Sequence, residues 1–330
     1  MSLVTVQAVG HYRRFIPSSG AAIAVLIYLV MYAIYTIYAP SAASLFGITN
    51  LLDNTIVLAI AAAGLTLVIL TGELDLSGIG VIAIANVVVA STSGSDTLGW
   101  LGSLAIVLMI GTIIGLLNGA LVAVLGLQSL AATIGTMIAC EGVALLILSA
   151  PGGQVADAIA NGLTGDVFNV LPVSAIIIAG LLALWFLLAR TRFGIAVYAV
   201  GTDENAARLS GLSVRLTKLV AFALAGLAYA FAGYVLSAET GSGDPSASDS
   251  FLLFMYASAA IGGTSLMGGR GGVFGSVVGA GILTVMQKML FALGAATFYT
   301  NVFSGIIMLV AIFISNLSVI LSRPLWRRTA

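Results

Sequence analysis

The chain has 330 residues, 60% of them hydrophobic and 7% charged, against about 25% charged in soluble domains. Its net charge is zero and it has no basic block, which excludes the electrostatic footprint of a nucleic-acid binder. A single cysteine, Cys140, excludes an intrachain disulfide and a cysteine zinc site. What remains is an all-α, polytopic helix bundle with the lipid bilayer as its first partner.

A bilayer core of roughly 30 Å needs about 20 apolar residues per helix. About ten such stretches follow one another, at 20–39, 51–71, 77–93, 99–125, 129–149, 171–189, 217–237, 251–267, 273–293 and 300–321. The first follows an arm, 1–19, that carries Arg13, Arg14 and the lone His11. Its apolar run exceeds the roughly 7–15 residues of a signal h-region, so it reads as a retained helix. Tyr28, Tyr32 and Tyr35 share one of its faces, which suits packing more than solute stacking.

Between the second and third stretches stands "TGELDLSGIG", residues 71–80, with Glu73 and Asp75 among three glycines. Glycine permits a tight turn. Asp75, and Ser77 beside it, can cap the third helix by accepting its orphan N–H groups. A second reading rests on recurrence: glycine-interrupted segments appear in both halves, 64–86 and 257–282, and paired breaks of this kind line transport paths. On that reading Gly72, Asp75 and Ser77 belong to an inner gate, whereas Glu73 reaches water at the headgroups and Glu73→Gly is tolerated.

Further along, Asn86, Asn118, Thr133, Thr136 and Gln287 are uncharged polar residues inside apolar stretches. They suit a mildly polar pathway or hydrogen bonding between helices. Glu141 lies in "TIGTMIACEGVALLIL", where an ionised group facing lipid is costly, so it is expected to face the bundle or a pore, or to be neutral.

Residues 190–217, "RTRFGIAVYAVGTDENAARLSGLSVRLT", carry Arg190, Arg192, Asp203, Glu204, Arg208 and Arg215 and are expected to face water. Thr202 is placed to cap a helix over about 203–210, Asp203 and Glu204 sit in its first turn where the dipole favours acids, and Gly211 ends it. Ala206, Ala207 and Leu209, with Leu212 beyond, give it an apolar aspect. Such a helix docks another protein or lies on its own bundle.

The Gly-rich "GGRGGVFGS", residues 268–276, lacks the Lys-Ser/Thr ending of a phosphate loop and reads as a turn between close-packed helices. Gly275, Gly279 and Gly281 mark that close approach. Charge then orients the whole. With ten spans both termini share one side, which takes 11 of the 12 basic residues. These are Arg13, Arg14, Arg190, Arg192, Arg208, Arg215, Lys218, Arg270, Arg323, Arg327 and Arg328. The opposite loops hold Asp96, Asp157, Asp166, Glu239, Asp244 and Asp249, and Lys288 is the exception. Both termini are therefore expected in the cytoplasm, giving an arm 1–19, one transmembrane domain 20–322 with the loop 190–217, and a tail 323–330.

Three motifs carry a resemblance. "AVGTDENAARLSGLSV" resembles the coupling-loop signature of ABC-importer permeases of the ribose-type sugar branch, G-x-N-x-x-A-A-x-x-x-G-I/L, at Gly201, Glu204, Ala206, Ala207, Arg208 and Gly211. "LTLVILTGELDLSGIGVIAIANVVVA" is similar to the family's G-G-I-D-L-S-x-G break at Gly72, Asp75, Leu76, Ser77 and Gly80. Glu73 stands where the family usually has glycine, and Gly78 beside its usual Val-Gly. "AAIGGTSLMGGRGGVFGSVVGAGIL" resembles the late glycine-rich segment, so the likeness runs over about 51–321. Glu141 stands where many relatives have arginine.

The resemblance implies a multi-pass permease subunit of the bacterial inner membrane, in which 203–212 sits in a groove of a cytoplasmic ABC ATPase. It implies an extracytoplasmic sugar-binding protein and a second permease copy, identical or different, as further partners. The solute would be a small neutral sugar, a polyol or a sugar-derived signal. This chain binds no cofactor; ATP belongs to the ATPase, since no Walker-type motif occurs here. A self-contained secondary transporter or channel would need ion-coupling residues in the spans, which beyond Glu141 are few. An enzyme is disfavoured, because H-E-x-x-H and G-x-S-x-G are absent and the histidine lies outside the spans.

Overall fold

The computed structural model describes residues 19–94, 99–168 and 171–294, with 299, 302, 303, 305 and 306. The arm up to residue 18, most of the expected span 300–321, the tail 323–330 and the basic residues of the arm and tail lie outside the described residues, as does Asp96.

Twelve α-helices, one 3-10 turn (Pro40–Ala43) and one minimal hairpin are the elements of the described residues. Six helices are long and apolar enough to cross a membrane: α1 (Ser19–Tyr38), α2 (Leu45–Leu70), α4 (Gly99–Ala123), α5 (Ser129–Ile147), α10 (Val214–Thr240) and α12 (Val273–Ala292). A seventh crossing is formed if α7 (Val173–Ala189) and α8 (Arg192–Thr202) are one span, though the pair bends by 77°. Helices α3 (Gly78–Thr92) and α11 (Phe251–Ile261) stand at expected places but are short; at 1.5 Å per residue α3 rises only about 22 Å. Short helices α6 (Asp157–Thr164) and α9 (Glu204–Leu209) and the antiparallel pair β1 (Asp166–Val167) and β2 (Leu171–Pro172) complete the order.

Helix α2 is the central column. It is apolar all round, the signature of a core helix, and is buried continuously from Thr55 to Leu70. Ser44 starts it by accepting the N–H of Gly47 at 3.1 Å. Helix α10 crosses α4 at glycines, where a Cβ on Gly111, Gly115 or Gly226 would strike the facing backbone. Gly275 and Gly279 do the same for α12 against α11, meeting the carbonyls of Gly262 and Ser258, and Gly281 receives the ring of Tyr28 from α1. Tyr28 stacks on Tyr32 at 6.3 Å, so these tyrosines pack helices together.

The shortness of α11 has a visible cause. Residues 241–250, expected as a water-facing loop, descend beside α3 without helical structure: the Asp244 N–H donates to Asn86 Oδ1 at 2.7 Å and Ser248 Oγ donates to the Ile79 carbonyl at 2.9 Å. Gly243 also pairs with Gly152. This run of turns covers depth that α11 then need not cover.

The residues gather at two ends. Arg190, Arg192, Arg208, Arg215, Lys218 and Arg270 belong to the connections at one, and Asp157, Asp166 and Glu239 to those at the other. Lys288, the exception, donates to Asn50 Oδ1 at 2.7 Å and lies within electrostatic reach of Glu239.

Candidate functional site

The break between α2 and α3 is held at its basic-end position from every side. Gly72 turns the chain with φ +86°, a left-handed value that suits glycine. Asp75, only 1% exposed, accepts the Ser77 N–H at 3.0 Å and the Ser77 hydroxyl at 2.6 Å on Oδ1. It therefore closes a turn two residues ahead rather than capping the N–H groups inside α3, and Ser77 makes no side-chain cap either. Asn118 of α4 donates to Ser77 Oγ at 2.8 Å, and Thr136 of α5 donates to Asn118 Oδ1 at 2.6 Å. Every donor in this chain of four side chains points toward the Asp75 carboxylate.

Helix α5 grips the break a second way. Ser129 and Thr133, one turn apart on the face that also carries Thr136, accept the backbone N–H groups of Leu74 and Leu76 at 3.3 and 3.1 Å. From α11 the Tyr256 hydroxyl accepts the Asp75 N–H at 3.1 Å and donates to the Asp75 carbonyl at 3.2 Å. Buried backbone polar groups must be paired, and here two helices, α5 and α11, supply these partners.

Two more glycine-rich segments arrive at the same place. Gly201, near the end of α8, sits so close to the break that a Cβ would collide with the Leu70 carbonyl. In the connection between α11 and α12, the Gly269 N–H donates to the Leu70 carbonyl at 3.1 Å, and a Cβ on Gly268 would stand 2.8 Å from the Gly72 Cα. The three sequence motifs thus share one junction, backbone against backbone.

Directly after α8 the chain forms α9. Its cap is Asp203, whose Oδ1 accepts the Ala206 N–H at 2.9 Å. Thr202, expected in that role, is instead the last residue of α8 and donates its hydroxyl back to the Tyr198 carbonyl. Gly211 ends the turn with φ +81°, as a C-terminal glycine should. Ala207 packs inward with Val200 and Val214, whereas Ala206 is exposed and Leu209 is 90% exposed. The apolar aspect is therefore divided: part holds α9 on its neighbours and part projects outward.

The sequence reading missed how α9 and the break are joined. Lys218, in the first turn of α10 and 8% exposed, donates to Glu73 Oε1 at 2.7 Å and to Glu204 Oε2 at 2.8 Å. Glu204 also pairs with Arg208 at 2.8 Å. Glu73, expected in water, is instead half-buried in an ion pair. The hydrogen bond from Lys218 holds the Glu204 carboxyl below its ordinary range. A cavity of about 420 Å³ opens here, lined by Glu73, Gln128, Glu204, Arg208, Arg215 and Lys218 among others.

The remaining polar positions are not at this junction. Asn86, fully buried, donates to Ser237 Oγ at 3.0 Å and fastens the descending segment 241–250. Glu141 is half-buried on α5 and interacts electrostatically with Asp249. Gln287 is half-buried on α12. No cluster able to hold a metal occurs among the described residues.

Residues 47–312 match the family model described as branched-chain amino acid transport system / permease component. The chain is 33% identical over 297 residues to the ribose import permease protein RbsC of Escherichia coli, covering 87% of this chain and 91% of that one. The ribose import permease protein RbsC of Bacillus subtilis is 33% identical over 304 residues, covering 87% and 90%. The xylose transport system permease protein XylH of Escherichia coli is 30% identical over 342 residues, covering 82% and 84%. No solved structure matches significantly. This multi-pass inner-membrane chain is a transport subunit and not an enzyme, and it belongs to the family of ABC-transport permeases described as branched-chain amino acid transport system / permease component.

Proposed function

We propose that the chain is the membrane-spanning subunit of an ABC importer that moves a small neutral sugar or related polyol inward. The carrying observation is the junction where the end of α8, which leads directly into α9, meets the 71–77 break and the 262–272 connection, in a chain similar along most of its length to ribose and xylose permeases. Helix α9, with Leu209 outward, suits the groove of a separate cytoplasmic ATPase, which binds and hydrolyses the ATP. An extracytoplasmic binding protein delivers the solute at the acidic end. Two permease copies, the same chain twice in the simplest case, enclose the path. The basic end is then cytoplasmic by the positive-inside rule. ATPase closure moves α9, and the 71–77 break opens or shuts as the inner gate, a rigid-body switch between two states.

The path itself runs between α5 and the descending segment. Non-helical backbone at membrane depth is tolerated where it is covered by protein or lines a water-filled cavity. Ser246, Asp249 and Ser250 are exposed on that segment, and Glu141 of α5 lies within electrostatic reach of Asp249. Carboxylates and hydroxyls are acceptors suited to a polyhydroxylated solute, and in hydrocarbon they would be costly.

The test is co-purification of the detergent-solubilised chain with an ABC ATPase encoded in its native cell, beside a Glu204→Lys, Gly211→Trp variant. Stoichiometric ATPase with the unmodified chain and its loss from the variant are expected. No ATPase with either form would sink the importer reading.

A further inference from the structure

The importer reading sets α9 against the ATPase and the 71–77 break at the inner gate, and the present inference rests on that reading. Two kinds of contact join these parts. At the glycine junction the end of α8 abuts the end of α2 with no side chain between them, since a Cβ on Gly201 would strike the Leu70 carbonyl. Close-packed backbone resists compression steeply, while the dispersion attraction of a few atom pairs resists separation weakly. The direct contact of α8 with α2 therefore transmits a push toward the break far better than a pull away from it. Among the described residues the hydrogen bonds at the junction reach the break only by way of the 262–272 connection, from Tyr198 Oη to the Gly271 carbonyl at 2.7 Å and from the Gly269 N–H to the Leu70 carbonyl at 3.1 Å. A transport cycle needs both strokes.

The charged residues beneath the junction supply what it lacks. Helix α9 and the first turn of α10 form a hairpin around Gly211. The Glu204–Lys218 pair staples it at 2.8 Å, and the Leu212 N–H bond to the Ala207 carbonyl closes its turn at 3.1 Å. Glu73 reaches across from the break to the same ammonium at 2.7 Å. Among the described residues this is the one ion pair between the hairpin and the break. It is partly buried, with side-chain exposures of 11% and 17%, and so is screened less than a surface pair. We infer that Lys218 is the tension-bearing link of the coupling apparatus: its ammonium, shared by Glu204 on the ATPase-docking hairpin and Glu73 on the gate, draws the break back when α9 withdraws. Lys218 and Glu73 are positioning residues here and need not touch the solute.

The experiment uses the full chain reconstituted in proteoliposomes with its ATPase and binding protein, measuring solute taken up per ATP hydrolysed. Glu73→Gln removes the charge and keeps the shape, and Glu73→Gly removes the side chain altogether; either one, if folded, gives the reading. Both are expected to retain the bound ATPase and its hydrolysis while uptake per ATP falls about tenfold, within the usual range of coupling between sites. Lys218→Arg, which keeps both pairs, should hold the ratio near that of the unmodified protein. In the double Glu73→Gln, Lys218→Met variant, uptake per ATP should fall no further than in Lys218→Met alone, as for partners in one link. An unchanged ratio in Glu73→Gln or Glu73→Gly would overturn the tension link while leaving the importer reading intact. Uptake by the unmodified chain without an ATPase would overturn both.

Discussion

Asp75 shows how one buried carboxylate can organise a break in the fold, and its proposed part in a gate can be tested separately. Its Oδ1 takes both donors of Ser77, and through Ser77 it anchors Asn118 and Thr136. Asp75→Asn keeps an oxygen in that position, so it should fold with nearly unchanged stability and transport more slowly, because the charge that organises the chain of donors is gone. Asp75→Ala leaves buried donors unpaired and should cost about 1–3 kcal/mol. Unfolding in detergent and uptake in vesicles separate the two effects; full uptake by Asp75→Asn would reduce Asp75 to a structural role. The importance of Asp75 and Ser77 was legible because glycines, an acid and a serine interrupt an apolar run. The pairing of Glu73 was not, since its partner Lys218 is 145 residues away. The resemblance, with glycine usual at that position, pointed to a tolerated difference, whereas the ion pair gives Glu73 a partner in Lys218.

At the scale of elements, glycine acts through the space it leaves. Gly201 and Gly211 flank α9, yet their surroundings differ: a side chain on Gly201 would strike α2, while nothing lies within 4 Å of Gly211. Gly211→Ala should therefore cost roughly the left-handed penalty of about 1–2 kcal/mol and leave transport largely intact. Gly201→Ala should force α8 off the break and abolish most uptake, even where the protein remains folded by size-exclusion chromatography. Equal uptake by the two variants would count against the junction. The existence and limits of α9 followed from local capping chemistry, although the cap moved by one residue, from Thr202 to Asp203. Thr202 prefers the carbonyl one turn behind it because α8 continues to that point, and the helical nature of 192–202 had been hidden by its charged flanks. Helices α3 and α11 were expected to cross the membrane alone. They are shorter because broken backbone, fixed by distant partners, shares the depth with them.

For the whole molecule, the descending segment 241–250 makes the sharpest prediction. If it lines an aqueous path, Ser246→Cys in the membrane should react with a charged, membrane-impermeant thiol reagent. Leu146→Cys, on an exposed apolar face of α5, should resist, because lipid excludes the reagent. Cys140 is buried and adds little background. Equal labelling of both cysteines would place Ser246 outside any water-filled route.

Composition, apolar stretch length and the distribution of charge by themselves determined that this is a helical membrane protein, roughly where its long helices lie, and which end is basic. These are properties of short windows of chain, set by the bilayer's thickness and by the local cost of unpaired backbone. Only the tertiary structure decided that three glycine motifs share one junction, that α5 holds the break, that Lys218 joins Glu73 to Glu204, and that 241–250 enters the bundle. Each of those depends on residues tens to hundreds of positions apart, whose meeting is fixed by helix packing and by the need of every buried polar group for a partner, and no window of sequence contains both members of the pair.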